Sequence, residues 1–355
     1  MKELIQLQEM SNRYGSDPKY VLAGGGNTSF KTKDTLYIKG SGTSLATIKA
    51  EDFVNMNRSA LSAMWDKKYP ENEAERESAV LNDMMDARKE GESRRPSVET
   101  LLHNLFPQKF VLHVHPALVN GMTCGVNGKQ IASKLFPDCV WVDACRPGYI
   151  LAALCHEKLT EYKKVSGQDA NLLFLQNHGV FFAGESVEEI DVLVKSVMDK
   201  LDSYVKTVKE KVIDKLGSVL AEITGYSYVE FITGEGVESF DSERNSPTPD
   251  HIVYCKANYF STKLNFCSAT LKADLEAFKQ KNGYYPKVVT VRGVGAYLLS
   301  YSEKQLGITK SIFLDQVTVC ANAEAFGGYF GMSDDLVDFI VNWEVESYRS
   351  KVSSN

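Results

Sequence analysis

The seven cysteines of this 355-residue chain are odd in number and scattered, and none stands in CxxC spacing. That argues against a disulfide framework and reads as reduced thiols in a cytoplasmic protein. No uninterrupted apolar run approaches the ~20 residues a membrane-spanning helix needs. The opening Met1-Lys2-Glu3-Leu4-Ile5-Gln6 holds no apolar stretch of the secretory kind. An excess of positive charge is missing as well. A formal net charge of −6 leaves no electrostatic footprint for nucleic acid, although Arg94-Arg95 is a local basic cluster able to hold a small phosphate. Neither a Walker loop nor a dinucleotide fingerprint is present. No membrane and no nucleic-acid partner are therefore expected. With 43% hydrophobic and 24% charged residues, composition is that of an ordinary globular enzyme long enough for two domains.

Histidine is scarce, six in all, and half of them fall in two places: His113-Val114-His115 and Gln176-Asn177-His178-Gly179. Residues two apart on a strand share a face, so the apolar stretch Phe110-Val111-Leu112-His113-Val114-His115 aims both rings one way and Val114 into the opposite layer. His178 ends a second apolar run, Leu172-Leu173-Phe174-Leu175. An HxH pair alone is more often structural. Three imidazoles leave the fourth position of a tetrahedral Zn²⁺ open for a carboxylate, water or substrate oxygen, the mark of a catalytic site.

Two further segments carry chemistry. In Arg94-Arg95-Pro96-Ser97-Val98-Glu99, Pro96 suits a first helical turn, which puts Glu99 in or just after that turn. Glu99 is then either dipole compensation, the fourth ligand or an acid/base, and His103 one turn on reads as a packing or hydrogen-bonding residue. The glycine-rich Ala23-Gly24-Gly25-Gly26-Asn27-Thr28-Ser29 and Ile38-Lys39-Gly40-Ser41-Gly42-Thr43 offer converging N–H groups, side-chain donors and the Lys39 charge to one phosphate. By composition alone, two turns joined by a hairpin are the stronger reading.

Taken in order, Gly25-Gly26-Asn27-Thr28-Ser29, Ile38-Lys39-Gly40-Ser41-Gly42-Thr43, Pro96-Ser97-Val98-Glu99, His113-Val114-His115 and Asn177-His178-Gly179 resemble the class II aldolase/adducin family. Within it the chain is most similar to the rhamnulose-1-phosphate aldolase part of bacterial proteins that fuse an aldolase to a short-chain dehydrogenase. That likeness adds Trp141-Val142-Asp143, Pro147-Gly148 and Ala323-Glu324-Ala325-Phe326-Gly327-Gly328-Tyr329. It covers the chain from about residue 18 onward, and the dehydrogenase half is expected to be absent. The resemblance implies an α/β fold, a three-layer α/β/α domain around a central mixed, mainly antiparallel sheet, with a smaller C-terminal α/β domain. It also implies Zn²⁺, or another divalent transition metal, on His113, His115 and His178, with Glu99 as fourth ligand or acid/base. Gly26, Asn27, Ser41, Gly42 and Ser97 would hold the phosphate of a small sugar phosphate. Val98 stands where known members have a second Ser, so Arg94, Arg95 or Lys39 would compensate. Residues 129–135 hold no Tyr to match the proton donor of fuculose-phosphate aldolase. The implied reaction is retro-aldol cleavage of a rhamnulose- or fuculose-1-phosphate-like ketose 1-phosphate to dihydroxyacetone phosphate and an aldehyde, by a homo-oligomer, often a tetramer. Alternatives are a sugar-phosphate 4-epimerase, which usually has Asp at the position of Glu99, a dehydratase, or an adducin-like assembly protein. Members of that last kind lose the metal histidines.

Organisation along the chain predicts a catalytic domain at 1–233, a linker at 234–250 and a small α/β domain at 251–355. Helices are expected over 1–16, within 57–92, from Glu185 to about 215, near 270–281 and from 303 to about 324, with a strand at 287–291. An offset of 116 pairs Gly179 with Gly295, Phe182 with Leu298 and Ser186 with Ser302, and sets Val294 against His178. Coincidence and a degenerate repeat without metal ligands both fit. His251 is a functional candidate with a structural role the stronger reading.

Overall fold

Period-two alternation of apolar residues along short runs builds a seven-stranded sheet. The computed structural model describes residues 2–342 and divides the chain into two compact units, Met1–Tyr204 and Val205–Asn355. Unit 1 contains strands β1 (Asn27–Lys31), β2 (Thr35–Lys39), β3 (Phe53–Asn57), β4 (Phe110–Val114), β5 (Val140–Val142), β6 (Leu172–Leu175) and β7 (Gly179–Gly184). Their order is β3-β2-β1-β4-β7-β6-β5, antiparallel at every step except β5–β6. Helices α1 (Lys2–Ser16), α2 (Arg58–Ala63), α3 (Glu73–Asp86), α4 (Thr100–Leu105), α5 (Ala117–Thr123), α6 (Gly128–Leu135), α7 (Tyr149–Ser166) and α8 (Val187–Thr224) cover the two faces.

The alternation decides which side chain meets which helix. Phe30, Leu112, Val114, Phe174, Val180 and Phe182 join Leu7 and Met10 of α1, Val119 of α5 and Ile190, Val194 and Leu201 of α8 in one core. Val54, Val111, Leu173, Phe181 and Ala183 face the other way, onto Leu61 of α2, Val80 of α3, Leu101 of α4 and Leu151 of α7. This is the expected three-layer α/β/α arrangement around a mixed, mainly antiparallel sheet. Each fully buried side chain of this size contributes about 1.5–3 kcal/mol, so both layers are strongly held.

One local expectation is corrected. Pro96 does not open a helix: it bridges Gly40 as an extended residue, and the Ser97 N–H donates to the Lys39 carbonyl at 3.1 Å. Sheet-like pairing with the β2 end therefore wins, and α4 begins only at Thr100, with Glu99 as its N-cap.

In unit 2, β8 (Tyr228–Ile232), β9 (Phe260–Thr262), β10 (Val288–Val291) and β11 (Gly295–Ser300) form a sheet ordered β8-β11-β10-β9. With them go α9 (Pro249–Cys255), α10 (Ser268–Asn282), α11 (Glu303–Ala323) and α12 (Asp334–Asn342). The second, C-terminal sheet matches the β4-β7-β6-β5 half of the first in order, direction and register. Val288↔Leu298 answers Leu172↔Phe182, Ile232↔Ala296 answers Val114↔Val180, and Phe260↔Val289 answers Val140↔Leu173 in the parallel pair. Within the expected linker, 234–250, Val237 is 4% exposed and packs with Ile232, Cys255 and Val317. The division at Tyr204/Val205 falls within α8, ahead of the expected 233, because Leu216 and Leu220 of that helix pack with Val289 and Tyr297.

Candidate metal centre

β4 carries His113 on the face that also holds Val111, His115 follows directly after the strand's last residue, Val114, and β7 begins where the turn after β6 delivers His178. The turn is tight. Asn177 sits in the left-handed region at φ 59°, a conformation Asn tolerates better than most residues. A Cβ on Gly179 would come within 2.5 Å of His115 Cδ2 and 2.7 Å of the Val114 carbonyl, so only glycine lets this corner close. A single ion can reach all three rings, whose ligand atoms lie within 4.8 Å of one another. His113 is wholly buried, stacked on Phe181 at 4.0 Å. Its Nδ1 hydrogen-bonds the Val180 carbonyl at 3.0 Å, which places the proton on Nδ1 and leaves the Nε2 lone pair facing the other rings. Nε2 of His113 and Nε2 of His115 are 2.9 Å apart. Burial, then the neighbouring His113, pushes the His115 imidazole down to about 4, and burial lowers His178 too. Neutral imidazoles are the ligating form.

Glu99 completes the cluster. Its Oε1 lies 3.3 Å from His113 Nε2 and 3.4 Å from His178 Nε2, and that oxygen is buried with no hydrogen-bond partner. Burial by itself would raise the carboxyl, but His113, Asn27 and His178 together hold it well below the usual carboxylate range. A buried lone pair without a donor, beside three converging nitrogens, fits a divalent cation.

The glycine loops meet the same centre. Gly26 adopts φ +70°, and a Cβ there would come within 2.8 Å of the His113 carbonyl. β1 and β2 form the hairpin between the loops. The Ser41 N–H donates to the Arg95 carbonyl at 2.8 Å, so the Lys39–Ser41 and Arg95–Ser97 backbones run side by side. Gly42 has φ +83° with open space around the position of a Cβ. Lys39 is buried, its ammonium lowered by burial and drawn back by Glu99. Ser97 accepts from Asn27 Nδ2 and from the Glu99 N–H, both at 3.3 Å.

Two residues expected at the phosphate have side-chain partners within the protein. The guanidinium of Arg94 is committed to Glu92 and to the Glu51 and Phe53 carbonyls, while the Asn27 amide donates to Glu99 Oε2 at 2.5 Å. Arg95 is exposed. The sequence offered Ser29 only as one of the donors of the glycine-rich segment, whereas its hydroxyl meets His103 Nδ1 at 2.7 Å. The signal was the period-two polar series Asn27, Ser29, Lys31 within one strand. His251, in unit 2, is wholly buried and joins Thr248 and Asp315 at 2.9 and 3.0 Å, tying α9 to α11. At the positions that match His113 and His178, unit 2 has Phe231, packed on Tyr297 with ring centroids 4.9 Å apart, and Val294.

The sequence model of the class II aldolase and adducin N-terminal domain matches residues 6–196. A Bacillus subtilis (strain 168) protein named uncharacterized oxidoreductase YuxG is 24% identical over 411 aligned positions, covering 98% of this chain and 58% of that protein. The chain thus spans less than two thirds of that relative's length. Among solved structures, the N-terminal class II aldolase domain of a conserved protein from Thermoplasma acidophilum is 26% identical with a TM-score of 0.48, covering 57% of this chain and 93% of that one. L-fuculose-1-phosphate aldolase from Thermus thermophilus is 14% identical with a TM-score of 0.38, covering 58% and 96%. With more than half of its length matched to the family's sequence model, this chain belongs to the class II aldolase and adducin family.

Proposed function

We propose that the protein is a Zn²⁺-dependent aldolase of the cytoplasm that cleaves a ketose 1-phosphate, of the rhamnulose or fuculose type, to dihydroxyacetone phosphate and an aldehyde. The observation that carries this is the unpartnered Oε1 of Glu99, set between His113 Nε2 and His178 Nε2. His113, His115 and His178 would hold the ion, which supplies Lewis-acid polarisation of a ketone oxygen when bound. Phosphate binding falls to the Ser41–Gly42 turn, Gly26, Ser97 and the Lys39 ammonium, with Arg95 at the rim.

Glu99 moves the protons. Held ionised at rest, it acts first as a base, taking at a carboxylate oxygen the proton that the C4 hydroxyl loses as the C3–C4 bond breaks. The C3–C4 electron pair stays on C3, and Glu99 returns the proton to C3, so the two products balance the substrate atom for atom. One carboxylate can therefore serve both transfers without the tyrosine missing from 129–135. Glu rather than Asp at position 99 favours cleavage over 4-epimerisation, and the three retained imidazoles speak against a purely structural adducin-like role.

The deciding assay incubates the zinc-loaded protein with rhamnulose, fuculose, ribulose and xylulose phosphates. It measures dihydroxyacetone phosphate release separately from epimer formation. Triose phosphate from a 1-phosphate ketose is the expected result; epimer without triose phosphate would overturn the reading.

A further inference from the structure

Asn27, Ser29 and Lys31 alternate along β1 and share one face of it, opposite Phe30. Glu99 and His103, four residues apart, lie along one side of α4 and its cap, the His103 N–H donating to the Glu99 carbonyl at 3.1 Å. The two periodicities interlock. Ser29 Oγ lies 2.7 Å from His103 Nδ1, His103 Nε2 hydrogen-bonds Asn27 Oδ1, and Asn27 Nδ2 donates to Glu99 Oε2 at 2.5 Å and to Ser97 Oγ at 3.3 Å.

We propose that His103 is a positioning residue for Glu99: its Nε2–H fixes the Asn27 amide with the NH₂ toward the carboxylate, which leaves the other carboxylate oxygen directed at the His113 and His178 imidazoles. This rests on the reading of Glu99 as the acid/base. His103 is wholly buried against Phe181, 5.4 Å between ring centroids. Its two ring nitrogens meet Ser29 Oγ and Asn27 Oδ1, and a neutral ring offers a single N–H to the two of them. The tautomer then matters. With the proton on Nε2, Asn27 Oδ1 accepts, both amide hydrogens are free for Glu99 and Ser97, and Ser29 donates its hydroxyl to Nδ1. With the proton on Nδ1, Nε2 needs a donor, the amide turns over, and its carbonyl confronts the ionised carboxylate, acceptor against acceptor. A histidine that served packing alone would not discriminate between these states.

The experiment uses the zinc-loaded full chain. Imidazole ¹⁵N shifts of His103, assigned by its loss in His103→Leu, should report a neutral ring protonated at Nε2; protonation at Nδ1 would overturn the proposal. Using whichever ketose 1-phosphate is cleaved, His103→Leu should lower kcat by about 10–10²-fold, the usual effect of losing a residue that orients a metal-site group. KM should change much less. His103→Gln, whose amide N–H can stand near Nε2–H, should restore most of the loss. The double variant Glu99→Gln/His103→Leu should be no slower than Glu99→Gln alone, because the histidine acts through the carboxylate. Multiplying losses, or no rescue by Gln while zinc content and melting temperature hold, would mean a structural role only. If no sugar phosphate is cleaved, the aldolase reading fails while the nitrogen shifts still decide the positioning.

Discussion

Position 179 shows how little room the candidate centre leaves. A methyl group there would press on both His115 and the Val114 carbonyl, and the backbone contact cannot rotate away. Overpacking of this kind costs roughly 1–3 kcal/mol. Gly179→Ala should therefore lower the melting temperature and weaken zinc retention, whereas His113→Ala and His178→Ala should lose the metal outright. Metal analysis of the dialysed proteins reads all three. Full zinc stoichiometry in both histidine variants would remove the site from this chain.

At the scale of elements, the segment from Glu92 to Ser97 aims α4. Its carboxylate end is clamped: Glu92 accepts from the Arg94 side chain and backbone and from the Asn55 N–H of β3 at 3.1 Å. Chiefly the Arg94 side chain holds its carboxyl down to about 2. A folded-state pKa below the unfolded one adds stability that is present above about 4.5 and is lost as pH falls toward about 2. Arg94 is 41% exposed, which screens the pair, so the contribution is on the order of 1–2 kcal/mol. Glu92→Gln should be less stable than the parent at pH 6 in urea, with the gap closing between about pH 4.5 and pH 2. A gap independent of pH would show that the charge is irrelevant. This clamp was invisible in the sequence because it joins a loop to a strand edge 37 residues away. The Pro96 error has the same origin: proline suits a helix start locally, but pairing with Gly40 and Lys39 decided otherwise.

For the whole molecule, we read unit 2 as a partial repeat of the β4-to-α8 half without its ligands. Helix-capping glycines support this, Gly167 at φ 73° and Gly283 at φ 79°, again 116 residues apart, as does Gly293 at φ 73° in the place of Asn177. For a repeat that carries Phe231 where the first copy has His113, we propose packing, assembly or a wall of the site as its role. We therefore expect a homo-oligomer, as the family resemblance implies, and activity that depends on residues 251–355. Light scattering with parallel activity assays on the full chain and on a chain ending at residue 233 tests this. A fully active shorter chain would show that residues 234–355 contribute nothing to turnover.

The sequence by itself determined the histidine triad, the β1–β2 hairpin, a strand opening at Phe110 and the α/β class, because each rests on short-range regularities: period two, glycine pairs, an HxH spacing. It also showed the offset of 116. Only the tertiary structure decided that Asn27 bridges His103 and Glu99, that Arg94 is spent on Glu92, and that Val237 is packed. The first of these depends on which polar groups find one another across 70 or more residues of chain. Burial makes an unmet hydrogen bond expensive, so partners are settled by the fold as a whole and not by neighbours in sequence.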